Sequence, residues 1–321
     1  PFLLLSALGL LYSADRILRS DEAKRYPPPG KMVTVKGRKM HILELGGTGP
    51  TVVMLPGLGT AAPAVDFSSI ADLIAAGGVR CVIPEPFGYG WSDDTDEPRT
   101  VANIVDELRE GLALAGFSGS YYLFVHSISG IYMRFWADRF PDGLLGIIGD
   151  DISLPEQFRQ PELAFSQPDH GIFRVIYSIR RAANGAGIGR LWGLCSPTLR
   201  SAAGGDAYKL RILQALSVRN QNSNAVRDET RRMAENAAKV ENLALPRCPL
   251  LLFTSGGSRS CASIRCKSGF SWIEAPQALA DAVPGSVCSV LPGPHYLHWK
   301  FAYVMAEQAL IFIEKNTTPV V

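Results

Sequence analysis

The sequence has no basic run interleaved with aromatics, and its charges nearly cancel: 32 Lys plus Arg against 30 Asp plus Glu leave a formal charge of +2 over 321 residues. A nucleic-acid partner is therefore not expected. Cysteine is sparse, with six residues at 81, 195, 248, 261, 266 and 288, most of them beside apolar stretches as small hydrophobes. Cys261 and Cys266 lack the second Cys or His pair that a zinc site needs, and a local disulfide between them stays open if the domain is extracellular. No metal or cofactor signature is present, and no internal repeat or low-complexity segment, which excludes a solenoid. Disorder is excluded too, because 47% of the residues are apolar and only 19% are charged. The length fits one large α/β domain with an insertion, or two ordinary domains, and the pattern has to decide.

The first fourteen residues are almost wholly apolar and are followed by Arg16, Arg19, Lys24 and Arg25. This run is shorter than the roughly 20 residues that span a bilayer. Since the sequence opens on Pro1 rather than Met, it reads as the end of a membrane anchor or a signal-peptide core whose beginning lies upstream. Association with a membrane through this segment is expected, with the side left open. Pro27, Pro28, Pro29 and Gly30 then read as a stiff spacer, so residues 1–30 form anchor and spacer and the folded domain starts near Lys31.

Two strand-like runs at 32–35 and 40–45 flank a Lys36-Gly37-Arg38 turn, a hairpin pattern. Short apolar runs follow at 51–55, 79–83, 121–125, 144–148, 249–253 and 287–291, as expected of strands buried on both faces. Helical patterns at 68–76, 101–114, 128–140 and 301–313 lie between or after them. This alternation predicts an α/β fold: a mostly parallel eight-stranded sheet covered by helices. Residues 154–245 break it, with helical patterns at 172–183, 207–218 and 225–240 and no buried strand. They read as an inserted helical cap dividing the core into 31–153 and 246–321.

Chemistry concentrates at strand ends. The run 121–125 leads into His126-Ser127-Ile128-Ser129-Gly130 and then a helix, the setting of a nucleophile elbow. Ser127 is the candidate nucleophile, and the Ile128 N–H at the helix start is a candidate oxyanion donor. A second donor is Leu58 N–H in Pro56-Gly57-Leu58-Gly59-Thr60, after the run 51–55. Read separately, Ser127 is also a helix cap and the glycines a turn.

Of the five histidines, His295 stands just past the last strand and is the best general base. His298 reads as a helix start or a substrate-facing neighbour. His126 should point away from the site, and structural or surface roles suit His41 and His170. For the acid, no carboxylate follows 249–253, where many such enzymes place it, whereas the preceding strand ends in Gly149-Asp150-Asp151. Asp151 is favoured over Asp150 because it lies further from the buried strand, and Glu274 is a fallback.

Together, Leu55-Pro56-Gly57-Leu58-Gly59, Glu85-Pro86-Phe87-Gly88-Tyr89-Gly90-Trp91-Ser92-Asp93, Val125-His126-Ser127-Ile128-Ser129-Gly130 and His295-Tyr296-Leu297-His298 resemble the α/β-hydrolase family from about Lys31 to the end. Within it, the chain is similar to membrane-anchored bacterial hydrolases in which a Pro-Pro-Pro-Gly spacer leads into the first strand. The resemblance implies a Ser, Asp, His triad in that chain order, an oxyanion hole at Leu58 and Ile128, and a cap formed by the insertion. The stretch 146–157 is similar to a family segment whose single Asp falls at Asp151. Departures stand at Val125 and Ser129, where the elbow usually carries Gly, and at Glu85, where the family has Asp.

The expectation is hydrolysis of a carboxylic ester, or an amide or lactone, of a small apolar substrate through an acyl-enzyme on Ser127. The competing reading is a non-catalytic ligand-binding protein of the same fold with a decayed site. Apolar cap residues Phe165, Phe173, Tyr177 and Trp192 suit an acyl pocket as well as a core.

Overall fold

Of the six runs expected to be buried on both faces, five pair on both edges; the sixth, 287–291, closes the sheet as an edge strand with Val287 and Val290 exposed. The computed structural model describes residues 2–160, 188–220, 223–257 and 266–317, together with 175, 179 and 183. Its strands are β1 (Lys31–Val35), β2 (Arg38–Gly46), β3 (Thr51–Leu55), β4 (Arg80–Pro84), β5 (Tyr121–His126), β6 (Leu144–Asp150), β7 (Leu250–Ser255) and β8 (Val287–Leu291). They form one sheet in the order β1-β2-β4-β3-β5-β6-β7-β8. β2 is antiparallel to both its neighbours, and the pairs from β4 to β8 are parallel. β5, β6 and β7 each run one or two residues past the apolar stretch that marks them in the sequence. Their tips, His126, Asp150 and Ser255, keep ladder register while being polar.

The helices are α1 (Phe2–Arg25), α2 (Pro63–Asp66), α3 (Ser68–Ala76), α4 (Val101–Leu114), α5 (Ser129–Arg139), α6 (Gly189–Cys195), α7 (Pro197–Ala202), α8 (Ala207–Asn220), α9 (Asn224–Arg231), α10 (Met233–Val240), α11 (Glu274–Ala282), α12 (Leu297–Lys300) and α13 (Ala302–Asn316). Ile70 and Ile74 of α3 pack with Met305, Ala309 and Phe312 of α13 on one face of the sheet. α4, α5 and α11 cover the other through Leu108, Trp136 and Leu279. The pattern at 225–240 predicts one helix, but the structure breaks it at Arg232 into α9 and α10. There Thr230 Oγ1 donates back to Val226 O, a bond that bends helices. The pattern at 172–183 falls almost wholly outside the described residues.

From β3 the chain moves outward to β4, then returns to place β5 on the other side of β3. The carboxyl ends of β3 and β5 therefore flank the crevice where open α/β sheets bind ligands. The described part of the insertion, α6 to α10, lies between β6 and β7 in the chain. It packs on the core through Leu199, Leu213 and Leu216 against Ala61, Ala62 and Trp91. Asn220 Nδ2 donates to Ala61 O and Gly90 O at 2.9 and 2.8 Å.

The segment before Lys31 is tied to the domain. Asp15 and Glu22, seven residues apart on one face of α1, receive Arg190 of α6: its Nε meets Asp15 Oδ1 at 2.7 Å and its Nη1 meets Glu22 Oε1 at 2.6 Å. Tyr26 is buried, and its carbonyl accepts from Trp91 Nε1 at 2.8 Å. Among the described residues, no helix is long and apolar enough to cross a membrane.

Candidate active site

Between the end of β5 and the start of α5, Ser127 takes a left-handed backbone, φ +55°. For a residue with a Cβ this costs about 1–2 kcal/mol, and it persists because the surroundings over-determine it. Ser127 N–H donates to Asp150 O at 3.1 Å, and Ser127 O accepts from Gly130 N at 2.9 Å and Ser153 N at 2.8 Å. The two departures from the glycine pattern have local explanations. Val125 is wholly buried in the core, in register with Leu55 on one side and Gly149 on the other. Ser129 turns its hydroxyl to Pro56 O at 2.5 Å. The close backbone approach falls one residue later, where a Cβ on Gly130 would stand 2.5 Å from Ser153 O.

His295 Nε2 lies 2.8 Å from Ser127 Oγ, and His295 Nδ1 lies 2.6 Å from Asp151 Oδ2. Asp151 also has a left-handed backbone, φ +44°, pinned by its N–H donating to Phe253 O at 2.7 Å. Its second oxygen accepts from Ser255 N at 2.8 Å and Trp272 Nε1 at 2.9 Å. The buried carboxylate is thus held by donors on both oxygens and presents one to the imidazole. That geometry fixes the tautomer with the proton on Nδ1, leaving Nε2 to accept from the serine. Glu274 is exposed at the start of α11 and has no part in this array.

The loop after β3 is packed against the elbow: a Cβ on Gly57 would lie 2.6 Å from His126 Nδ1 and 3.2 Å from Ser127 Cβ, so only glycine fits. Gly57 O accepts from Thr60 N at 3.3 Å and Thr60 Oγ1 at 2.9 Å. Because the peptide is trans, this aims the Leu58 N–H the opposite way. The N–H groups of Leu58 and Ile128 have no acceptor among the described residues. Both are therefore available to a ligand.

Behind this array lies a second one that sequence reasoning did not find. His298, expected at a helix start or facing substrate, does start α12 but is wholly buried and faces no substrate. Its Nδ1 meets Asp150 Oδ2 at 2.5 Å and its Nε2 meets Asp66 Oδ2 at 3.1 Å. Burial alone would lower its pKa, but the two carboxylates overcome this and raise it to about 10, so the ring is an imidazolium. Burial pushes Asp150 up, against the pull of His298.

His126 packs against the rings of His295, Tyr296 and His298, with Nε2 3.2 Å from the carbonyl of His295. Burial first, then the neighbouring histidines, hold its pKa well below the usual value. It is a neutral donor that steadies the His295 backbone. His126, Asp150 and His298 bring ligand-type atoms within 4.8 Å of one another. Since both ring nitrogens of His298 already face carboxylates, the set is a charge network rather than an open ligand set.

His41 is structural, bonded to Glu85 at 2.9 Å and to Gly30 N at 2.9 Å. His170, Phe165, Phe173 and Tyr177, the side chain of Trp192, and Cys261 of the Cys261 and Cys266 pair lie outside the described residues. Trp272 was missed because nothing in its sequence neighbourhood marks it; only the fold brings it to Asp151. A pocket of about 290 Å³ adjoins the loop after β3 and Tyr296, lined by Thr60, Asp66, Leu199, Leu213 and Trp299 among others.

This sheet order, elbow and crevice define the α/β-hydrolase fold, and the solved structures agree. An esterase from Thermogutta terrifontis superimposes with a TM-score of 0.63 at 16% identity, over 90% of this chain and 100% of its own. A laboratory-evolved variant of a potato epoxide hydrolase does so with a TM-score of 0.68 at 16% identity, over 89% and 98%. No family model matches. Among curated sequences, the uncharacterized protein YbdG of Bacillus subtilis (strain 168) is 32% identical over 162 residues, 49% of this chain and 50% of that protein. The chain thus spans half the length of that relative.

Proposed function

We propose that the protein is a serine hydrolase that cleaves carboxylic esters through an acyl-enzyme on Ser127. The carrying observation is the aligned path from Ser127 Oγ through His295 to Asp151, at 2.8 and 2.6 Å, with the serine on a left-handed elbow. In this reading His295 takes the serine proton as Oγ attacks the acyl carbon. The Leu58 and Ile128 N–H groups receive the oxyanion. The imidazolium then protonates the leaving alcohol, and water repeats the cycle to release the acid. Epoxide and haloalkane hydrolysis on this fold would place an aspartate where Ser127 stands. The adjoining pocket suits a small substrate by its volume.

The test is a fluorophosphonate probe on the intact protein. Labelling confined to Ser127, lost in Ser127→Ala and accompanied by turnover of short-chain chromogenic esters, is expected. A folded protein that is neither labelled nor active would instead be a ligand-binding member of the fold.

We also propose that α1 lies against a lipid surface. Leu10 and Ile17 are 73% and 70% exposed on the face turned away from Asp15 and Glu22, while Leu11 and Leu18, 46% and 44% exposed, lie beside the ion pairs. These exposed apolar side chains suit a lipid interface. Flotation with phosphatidylcholine vesicles is expected, and loss of flotation on changing Leu10 and Ile17 to Gln would confirm the face used.

A further inference from the structure

We propose that Glu229, on α9 of the insertion, is a positioning residue for the oxyanion loop and acts through Tyr89. This rests on the reading of Leu58 N–H as an oxyanion donor. Three successive peptide groups of the loop are each held by a side chain: Ser129 binds Pro56 O, Thr60 binds Gly57 O, and the Tyr89 hydroxyl accepts from Gly59 N at 3.0 Å. The third restraint depends on the insertion. A phenol presents its lone pair to an N–H when its own proton is engaged elsewhere, and the Tyr89 proton goes to Glu229 Oε2 at 2.8 Å. The other oxygen, Oε1, accepts from the hydroxyl of Tyr132 on α5, the helix that leaves the nucleophile elbow.

One buried carboxylate therefore connects the elbow helix, the oxyanion loop and the insertion. The path N–H to hydroxyl to carboxylate is one in which each bond polarises the next. Val226, three residues earlier on α9, lies over the same loop, 3.7 Å from where a Cβ on Gly59 would be. Packing the insertion on the core would need only an apolar residue at 229. A buried carboxylate is an expensive way to add stability, so its use points to orientation of the two phenols. Burial raises the pKa of Glu229, while the two phenol bonds and the charge of Arg99 oppose that.

The experiment uses the whole protein with a chromogenic short-chain ester and a trifluoromethyl ketone, whose adduct on serine carries the oxyanion. Removing an oxyanion donor outright costs about a hundredfold or more in kcat, so a misaligned one is expected to cost about tenfold. Tyr89→Phe and the isosteric Glu229→Gln should each lower kcat by about that factor with KM held within about twofold, and should weaken the ketone in parallel. If Tyr89→Phe melts below the assay temperature, Glu229→Gln decides. Wild-type protein that labels at Ser127 and turns over, with variants matching its kcat, overturns this inference alone. So does a loss confined to KM with unchanged ketone affinity. Wild-type protein that neither labels nor turns over defeats the hydrolase reading and this inference with it.

Discussion

Asp151 sits where an aspartate is strained, at φ +44°, and all of its acceptor capacity is aimed. One oxygen serves His295, and the other serves Ser255 N–H and Trp272 Nε1–H. Asp151→Asn would put an amide where the imidazole needs an acceptor, and a fall in kcat of about 10⁴ is expected in steady-state assays with little change in melting temperature. Trp272→Phe removes one donor while leaving the ring packing. A several-fold fall in kcat is expected, smaller than that of Asp151→Asn by orders of magnitude, measured on the same ester. Ser127, His295 and Asp151 were legible in the sequence because each follows a recognisable apolar strand. Trp272, Glu229 and His298 were not: none of them stands directly after a recognisable strand, and only the fold brings them to Asp151, Tyr89 and Asp150.

The strands were readable to within two residues and α3, α4, α5 and α13 to within three, since burial on both faces leaves continuous apolar runs and burial on one leaves a 3.6-residue rhythm, whereas α11 was not read at all. What the rhythm could not show was where a strand continues as polar residues, as at His126, Asp150 and Ser255, because ladder bonds and not hydrophobicity extend it there. It also could not show the docking of α1, whose inward face is charged. Arg190→Ala would leave Asp15 and Glu22 without their shared partner. Faster amide exchange in residues 10–25 is expected, with the sheet unaffected, by hydrogen-exchange mass spectrometry. At the loop after β3, Gly57→Ala would drive a methyl into His126. A loss of about 1–3 kcal/mol is expected by urea denaturation, together with reduced turnover.

At the scale of the whole molecule, the network of Asp66, His298 and Asp150 joins α2, α12 and β6 beneath the candidate site. His298 has its pKa raised from 6.5 to about 10 in the folded state. A group raised on folding contributes stability that is fully present below its unfolded value and is lost as pH rises through its folded one. Stability in urea titrations is therefore expected to decline between about pH 6.5 and 10. His298→Gln should flatten that decline while costing about 3–5 kcal/mol at pH 6, since it leaves buried carboxylates without their cation.

The order of the strands, most of the helices between them and the serine, aspartate and histidine at strand ends were determined by the sequence alone. Burial periodicity and short-range turn chemistry are local properties that a linear chain displays. Only the tertiary structure decided which polar groups meet. It brought Trp272 to Asp151, locked His298 between two carboxylates and carried Glu229 from the insertion to Tyr89, which bonds the loop after β3. Hydrogen bonds act over about 3 Å in space and leave no periodic trace in the chain that makes them.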